Sequence, residues 1–215
     1  TIFSHEETGN AISYGRDNAV NILCKQNRIC WKEYASNGTI RGLKSRRTWS
    51  EQWTETMTAD VIAVPLSAIR SVQLPASFNN CLATAILPQS IRTKNPLFQP
   101  GGETTAWRYL SSFFNERCTT YSKHISKPEE SRKSCSRISP YLTYGNISMK
   151  QVYQATLQAI AETSFKRPLQ FFIARLHWHC HFIQKFESEC RMEFENLNRG
   201  FDALRTHINE QYVAA

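Results

Sequence analysis

Five prolines in one stretch limit what this chain can fold into more than any other feature. Pro65, Pro75, Pro88, Pro96 and Pro100 interrupt residues 61–100. Each lacks an amide donor and fixes its own φ, so no long helix or central strand crosses the stretch. The same residues carry Arg70, Arg92 and Lys94 and no acid. A long, proline-punctuated segment of this kind joins domains or wraps over a surface. The chain therefore reads as three parts: 1–60, a connection over 61–100, and 101–215.

The first part alternates strand and helix. Thr1-Ile2-Phe3 reads as a strand end, and the polar run Ser4 to Asn10 as a loop. Residues 13–27 place Ala19, Ile22 and Leu23 at helical spacing, with Asp17 early and Lys25 late to suit the helix dipole. Ile29-Cys30-Trp31 reads as a second short strand. Arg46 to Met57 reads as a polar helix whose Trp49 and Trp53, four apart, meet on one face. Strand, helix, strand in this order points to part of an α/β layer.

From Gly101 onward the period becomes helical. Gly101-Gly102-Glu103 opens a helix through about Glu116, with Leu110, Phe113 and Phe114 on its apolar side. Pro140 to Thr143 forms a short turn or helix that Gly145 ends. Ser148 is the expected N-cap of a helix over 149–163, where Val152, Tyr153, Leu157 and Ile160 repeat. The last long helix begins near Pro168 and runs to about Cys190. One stripe of it is apolar: Leu169, Ile173, Leu176, Cys180 and Ile183. Another mixes aromatic and charged groups: Phe172, Arg175, Trp178, His179 and Phe182. Such an aromatic stripe is more often core than ligand site.

Composition narrows the function classes. Of 215 residues, 41% are hydrophobic and 12% aromatic, which suits a core-forming chain and excludes disorder and low complexity. No run of 18 apolar residues is present to span a membrane. Seven cysteines, an odd count with no C-x-x-C pair, suit reduced thiols in a cytoplasmic setting better than a disulfide framework or a ribbon-type zinc site. The formal charge of +8 fits a polyanionic partner, although no basic tail is present and the fold must assemble any such footprint. Residue 1 is Thr and the first Met is Met57, so a piece of a longer protein is expected.

The most specific run is Ser134-Cys135-Ser136-Arg137-Ile138-Ser139-Pro140-Tyr141-Leu142. Ser-x-Arg-x-Ser entering a helix can cradle a phosphate, because hydroxyls, a guanidinium fork and N-terminal amides converge there. A capped helix start beside a surface Arg has the same sequence, so the run gains meaning from its context. Gly101-Gly102-Glu103, Tyr121 and Pro128 precede it. Gly145-x-x-Ser148 and Leu176-x-Trp178 follow it. This ordered series resembles the flavin-binding domain of the photolyase/cryptochrome family. Ser4-His5-Glu6-Glu7-Thr8-Gly9-Asn10, Tyr14-x-Arg16-Asp17, Trp31-x-Glu33, Gly38-x-x-Arg41 and Arg46-x-x-Trp49 resemble the second half of that family's α/β antenna domain.

The resemblance implies a fold class: a partial, Rossmann-like α/β antenna domain over 1–60, an interdomain linker over 61–100, and the first half of an all-α FAD-binding domain over 101–215. It implies FAD as cofactor and a second, antenna chromophore. The family's Thr-Ser-Arg-Leu-Ser run, which holds the FAD diphosphate, falls on Cys135, Ser136, Arg137, Ile138 and Ser139. Its phosphate-side tyrosine falls on Tyr121, and its flavin-pocket aromatic on Phe172. The tryptophan that packs on a flipped pyrimidine dimer falls on Trp178, which makes damaged DNA the implied partner, with Arg175 and His179 beside it.

Two departures bear on activity. Arg175 stands where repair enzymes carry a carboxylate or amide, and His179-Cys180 replace the Arg-Glu that follows the family's tryptophan. The resemblance therefore implies a blue-light-driven DNA repair lyase acting on pyrimidine dimers or, as the alternative, a cryptochrome-like photoreceptor without repair activity. The rest of the flavin domain would lie beyond Ala215, so this chain alone is expected to hold FAD weakly or not at all and to be inactive. His177-Trp178-His179-Cys180-His181 places His177 and His181 on one helix face, but two or three ligands make no closed zinc site, and packed or solvated histidines are expected there.

Overall fold

The computed structural model describes residues 1–70, 72–83 and 88–204. Its opening unit is strand, helix, strand: β1 (Ile2–His5), α1 (Ala11–Gln26) and β2 (Trp31–Tyr34). The strands pair in parallel, Ile2 opposite Trp31 and His5 opposite Tyr34. α1 starts where the Asn10 side chain accepts from the Ser13 amide at 3.1 Å, satisfying one of the free donors of a helix start. It stops where the amides of Asn27 and Ile29 fold back onto the carbonyls of Leu23 and Cys24. Ile29 thus closes the helix rather than opening a strand, and β2 begins two residues later than the sequence reading. β1 likewise runs on to His5, into the expected loop.

The expected apolar face of α1 is not a core. Only Cys24 of this helix is buried, while Ile22 and Leu23 are more than half exposed. A two-stranded sheet offers too little surface to cover a helix face, and such ribbons are marginal alone.

The remaining elements are helices: α2 (Trp49–Thr58), α3 (Ala76–Ala83), α4 (Gln89–Arg92), α5 (Glu103–Asn115), α6 (Tyr121–His124), α7 (Pro128–Ser134), α8 (Ser139–Thr143), α9 (Met149–Glu162) and α10 (Lys166–Ser188). α9 begins on a full capping box. The Ser148 hydroxyl accepts from the Gln151 amide at 3.1 Å and the Gln151 side chain accepts from the Ser148 amide at 2.9 Å. α8 ends at Gly145, whose φ of +65° is open to glycine at no steric cost. Described residues of the proline-rich stretch, 61–98, form short helical turns and are exposed wherever burial is defined.

One core joins α2, α5, α9 and α10. Ala106, Leu110 and Phe113 of α5 meet Val152 and Tyr153 of α9 and Leu169, Phe172, Leu176 and Cys180 of α10. Trp49, Trp53 and Met57 of α2 belong to the same cluster. The two tryptophans sit on one face as their spacing predicts, and that face turns to the helical core. The loop between β2 and α2 approaches closely here. A Cβ on Gly38 would stand 2.8 Å from Trp53 Cδ1, and its φ is +68°, so only glycine fits.

Polar contacts fasten the α/β unit to α10. Buried Gln184 donates to the Ile40 carbonyl at 3.0 Å and accepts from the Ile40 amide at 2.7 Å. Arg46 pairs with Glu189 at 2.7 Å, and Tyr14 hydrogen-bonds Glu187.

His177 and His181 of α10 pack against the α2 tryptophans. The His177 ring lies 5.1 Å from Trp49 and 4.9 Å from Trp53, and the His181 ring lies 5.7 Å from Trp49. Burial pushes both imidazoles below their ordinary pKa. His181 adds to the effect on His177, and Arg46 and Lys185 add to the effect on His181. Both rings are therefore neutral in the fold and take up protons more readily when unfolded. Stability is full above the unfolded value of about 6.5 and falls as pH drops below it. Urea midpoints should fall between pH 7.5 and pH 5.5. H177Q, which cannot titrate, should show a shallower fall than the unsubstituted chain.

Candidate functional site

The Cys135–Ser139 loop depends on a cation that the sequence reading did not single out. Arg117 lies in the turn between α5 and α6. Its guanidinium donates to the carbonyls of Tyr109 at 2.6 Å and Ser136 at 3.3 Å, to the Cys135 carbonyl, and to Ser112 Oγ at 3.1 Å. It also lies against the Tyr109 and Phe113 rings, 5.9 and 5.8 Å from their centroids. Burial pulls its pKa down, and the Arg137 charge adds to that. Arginine still remains charged, and its planar fork spreads that charge over several acceptors.

With its carbonyls held by Arg117, the loop turns sharply. Arg137 adopts φ of 61°, a left-handed conformation that costs a side-chain-bearing residue about 1–2 kcal/mol. Among the described residues, the backbone N–H groups of Ser136, Arg137, Ile138 and Ser139 have no protein acceptor. Gln99 braces Arg137 in turn: Gln99 Nε2 donates to the Arg137 carbonyl at 3.0 Å, and Arg137 Nε donates to Gln99 Oε1 at 3.2 Å.

These residues form the wall of a cavity of about 480 Å³. Of the sequence-predicted residues, Tyr121, Cys135, Ser136, Arg137, Ile138, Ser139, Phe172, Arg175 and His179 all line it. Gln99, Ser131 and Arg132 line it as well and were not foreseen. Three arginines, Arg132, Arg137 and Arg175, line this space and no carboxylate-bearing residue does. Its field therefore favours an anion, and unpaired amides are the donors a phosphate takes.

Tyr121 and Phe172 give the lining its aromatic part. Phe113, fully buried in the core, packs edge to face on both, 5.3 Å from Tyr121 and 4.9 Å from Phe172. Burial first, then the Cys135 thiol, pushes the Tyr121 phenol up to about 12, against the pull of Arg175. The phenol therefore stays neutral and can donate. Burial also pushes the Cys135 thiol up, against Ser131, Arg117 and Arg137, so it stays a thiol.

Trp178 lies apart from the cavity, half exposed on α10. The Arg175 guanidinium sits 4.6 Å above its ring, and Phe182 packs edge-on at 6.0 Å. The mixed stripe of α10 is thus divided: Phe172 is core, whereas Trp178 and Phe182 are surface. Among the described residues no three His, Cys, Asp or Glu side chains come together as metal ligands.

R117K keeps the charge but replaces a five-donor fork by one ammonium. It should destabilise the chain by about 2–3 kcal/mol in urea unfolding. Amide exchange over 134–138 should quicken at the same time.

In comparison with known proteins, no family model and no curated protein matches the sequence. The structure is similar to that of a bacterial class III photolyase from Agrobacterium tumefaciens, with a TM-score of 0.64 and 16% identity. The match covers 99% of this chain and 46% of that one, so the chain spans about half the photolyase's length. Over nearly all its residues the chain has a photolyase-like fold.

Proposed function

We propose that this chain is part of a photolyase/cryptochrome-like flavoprotein, and that its cavity takes the diphosphate of FAD. The unpaired amides of residues 136–139, in a cavity lined by three arginines and no acidic residue, carry this reading. The donor set fits the group: a diphosphate offers acceptors and negative charge to a wall made of donors and positive charge. Arg137, Ser136 and Ser139 would hold the phosphates. The Tyr121 and Phe172 rings, which Phe113 packs against, would keep water from that end of the cofactor. FAD, when bound, supplies light absorption and a transferable electron.

The parent protein is, on this reading, a blue-light-driven repair lyase for pyrimidine dimers in DNA, carrying a second, antenna chromophore. The net charge of +8 and the exposed Trp178, Phe182 and Arg175 support a nucleic-acid partner. An exposed indole offers a stacking face that offsets the cost of taking a damaged base step out of the helix. One observation favours the photoreceptor alternative. Arg175 lines the cavity where repair enzymes carry a carboxylate or amide, and it already covers the face of Trp178. Arginine offers only donors, so it reverses the hydrogen-bond role of that position.

The test uses the full-length parent and dimer-containing DNA. Blue light should remove thymine dimers, and R137A should lower flavin retention. W178A should weaken binding of damaged DNA by about tenfold, the scale of one base–aromatic contact. A parent that cycles its flavin under light yet leaves dimers intact would be a photoreceptor. A parent without flavin would refute both readings.

A further inference from the structure

Among its described residues, the proline-rich segment hydrogen-bonds the helical fold at its end. From Pro88 to Phe98 its side chains are exposed, Leu97 and Phe98 by 86% and 73%. Gln99 is the first to turn inward, and three contacts then pin the chain. Gln99 bonds Arg137 at both ends of its amide. The Pro100 carbonyl accepts from the Tyr141 hydroxyl at 2.8 Å, and the Gly102 amide donates to Asn146 Oδ1 at 3.4 Å. Proline fixes the backbone between the first and third of these contacts.

A guanidinium can grip a phosphate side-on, through Nε and one terminal nitrogen, or end-on, through both terminal nitrogens. Gln99 Oε1 occupies Nε, so side-on contact is closed and the end-on edge stays free. The other half of the Gln99 amide holds the carbonyl of the residue in the left-handed conformation. One side chain thereby fixes both the backbone and the side-chain direction of Arg137.

We propose that Gln99 is a positioning residue of the anion site, which sets Arg137 to meet a phosphate of a diphosphate ligand through its terminal nitrogens only. This rests on the reading of the cavity as a diphosphate site. The linker thus contributes to the site. Gln99 forms part of the cavity wall, and a ligand that holds Arg137 also holds the linker's end.

The test combines ligand binding and spectroscopy on the flavin-free, full-length parent, with ADP and inorganic pyrophosphate as probes. Q99A should weaken ADP by about five- to tenfold, the usual scale of a charge-assisted hydrogen bond. The thermal midpoint should fall only a little, because the Gln99 side chain bonds Arg137 alone and belongs to no core cluster. R137A should weaken ADP at least as much, and Q99A added to R137A should cause no further loss. Without ligand, the Arg137 Nε–H proton should exchange slowly in the unsubstituted chain and in Q99E, which still accepts that bond, and quickly in Q99A. Independent, additive losses from Q99A and R137A would overturn the positioning role. So would an Arg137 Nε–H that exchanges as fast as that of an exposed arginine such as Arg108. A slow Nε–H with no binding of either probe would instead refute the diphosphate reading, and the proposed role would fall with it.

Discussion

A half-buried guanidinium holds the candidate site together. Arg117 binds the carbonyls of Tyr109, Cys135 and Ser136 at once. Carbonyls turned toward Arg117 leave the amides that follow them without backbone partners. That division is what a phosphate loop needs: acceptors satisfied from within, donors left for a ligand. The Phe113 and Tyr109 rings beside the guanidinium exclude water from it, so its bonds are worth more than they would be at the surface. The loop's shape therefore depends on α5 and its following turn as much as on its own sequence.

Local chemistry explains what the sequence made legible. The Ser148 cap and Gln151 lie three residues apart, so their reciprocal bonds can be read directly. Trp49 and Trp53 share a helix face because of their spacing, and both are core. The Ser-Arg-Ile-Ser run stood out by its hydroxyls and its arginine, and its residues line one cavity with Tyr121, Phe172, Arg175 and His179.

The rest depends on contacts between residues far apart in sequence. Gln99 and Arg137 are 38 residues apart, and nothing in the surrounding Asn95-Pro96-Leu97-Phe98 marks the glutamine. Arg117 could have been suspected from its position one helical turn beyond Phe113, beside an aromatic run. Ile22 and Leu23 have the spacing of a buried face yet remain exposed, because spacing says which residues share a face but not what covers it. The division of the α10 stripe into a core Phe172 and a surface Trp178 is the same lesson within one helix.

The account's central claim concerns four amides. Nitrogen-15 NMR of the flavin-free, full-length parent during titration with FAD or ADP follows the N–H groups of Ser136, Arg137, Ile138 and Ser139 directly. If the cavity takes a diphosphate, these four signals shift together, and their exchange with water slows as ligand is added. If they stay in place while other amides respond, or if none responds at millimolar ligand, the diphosphate site is not here.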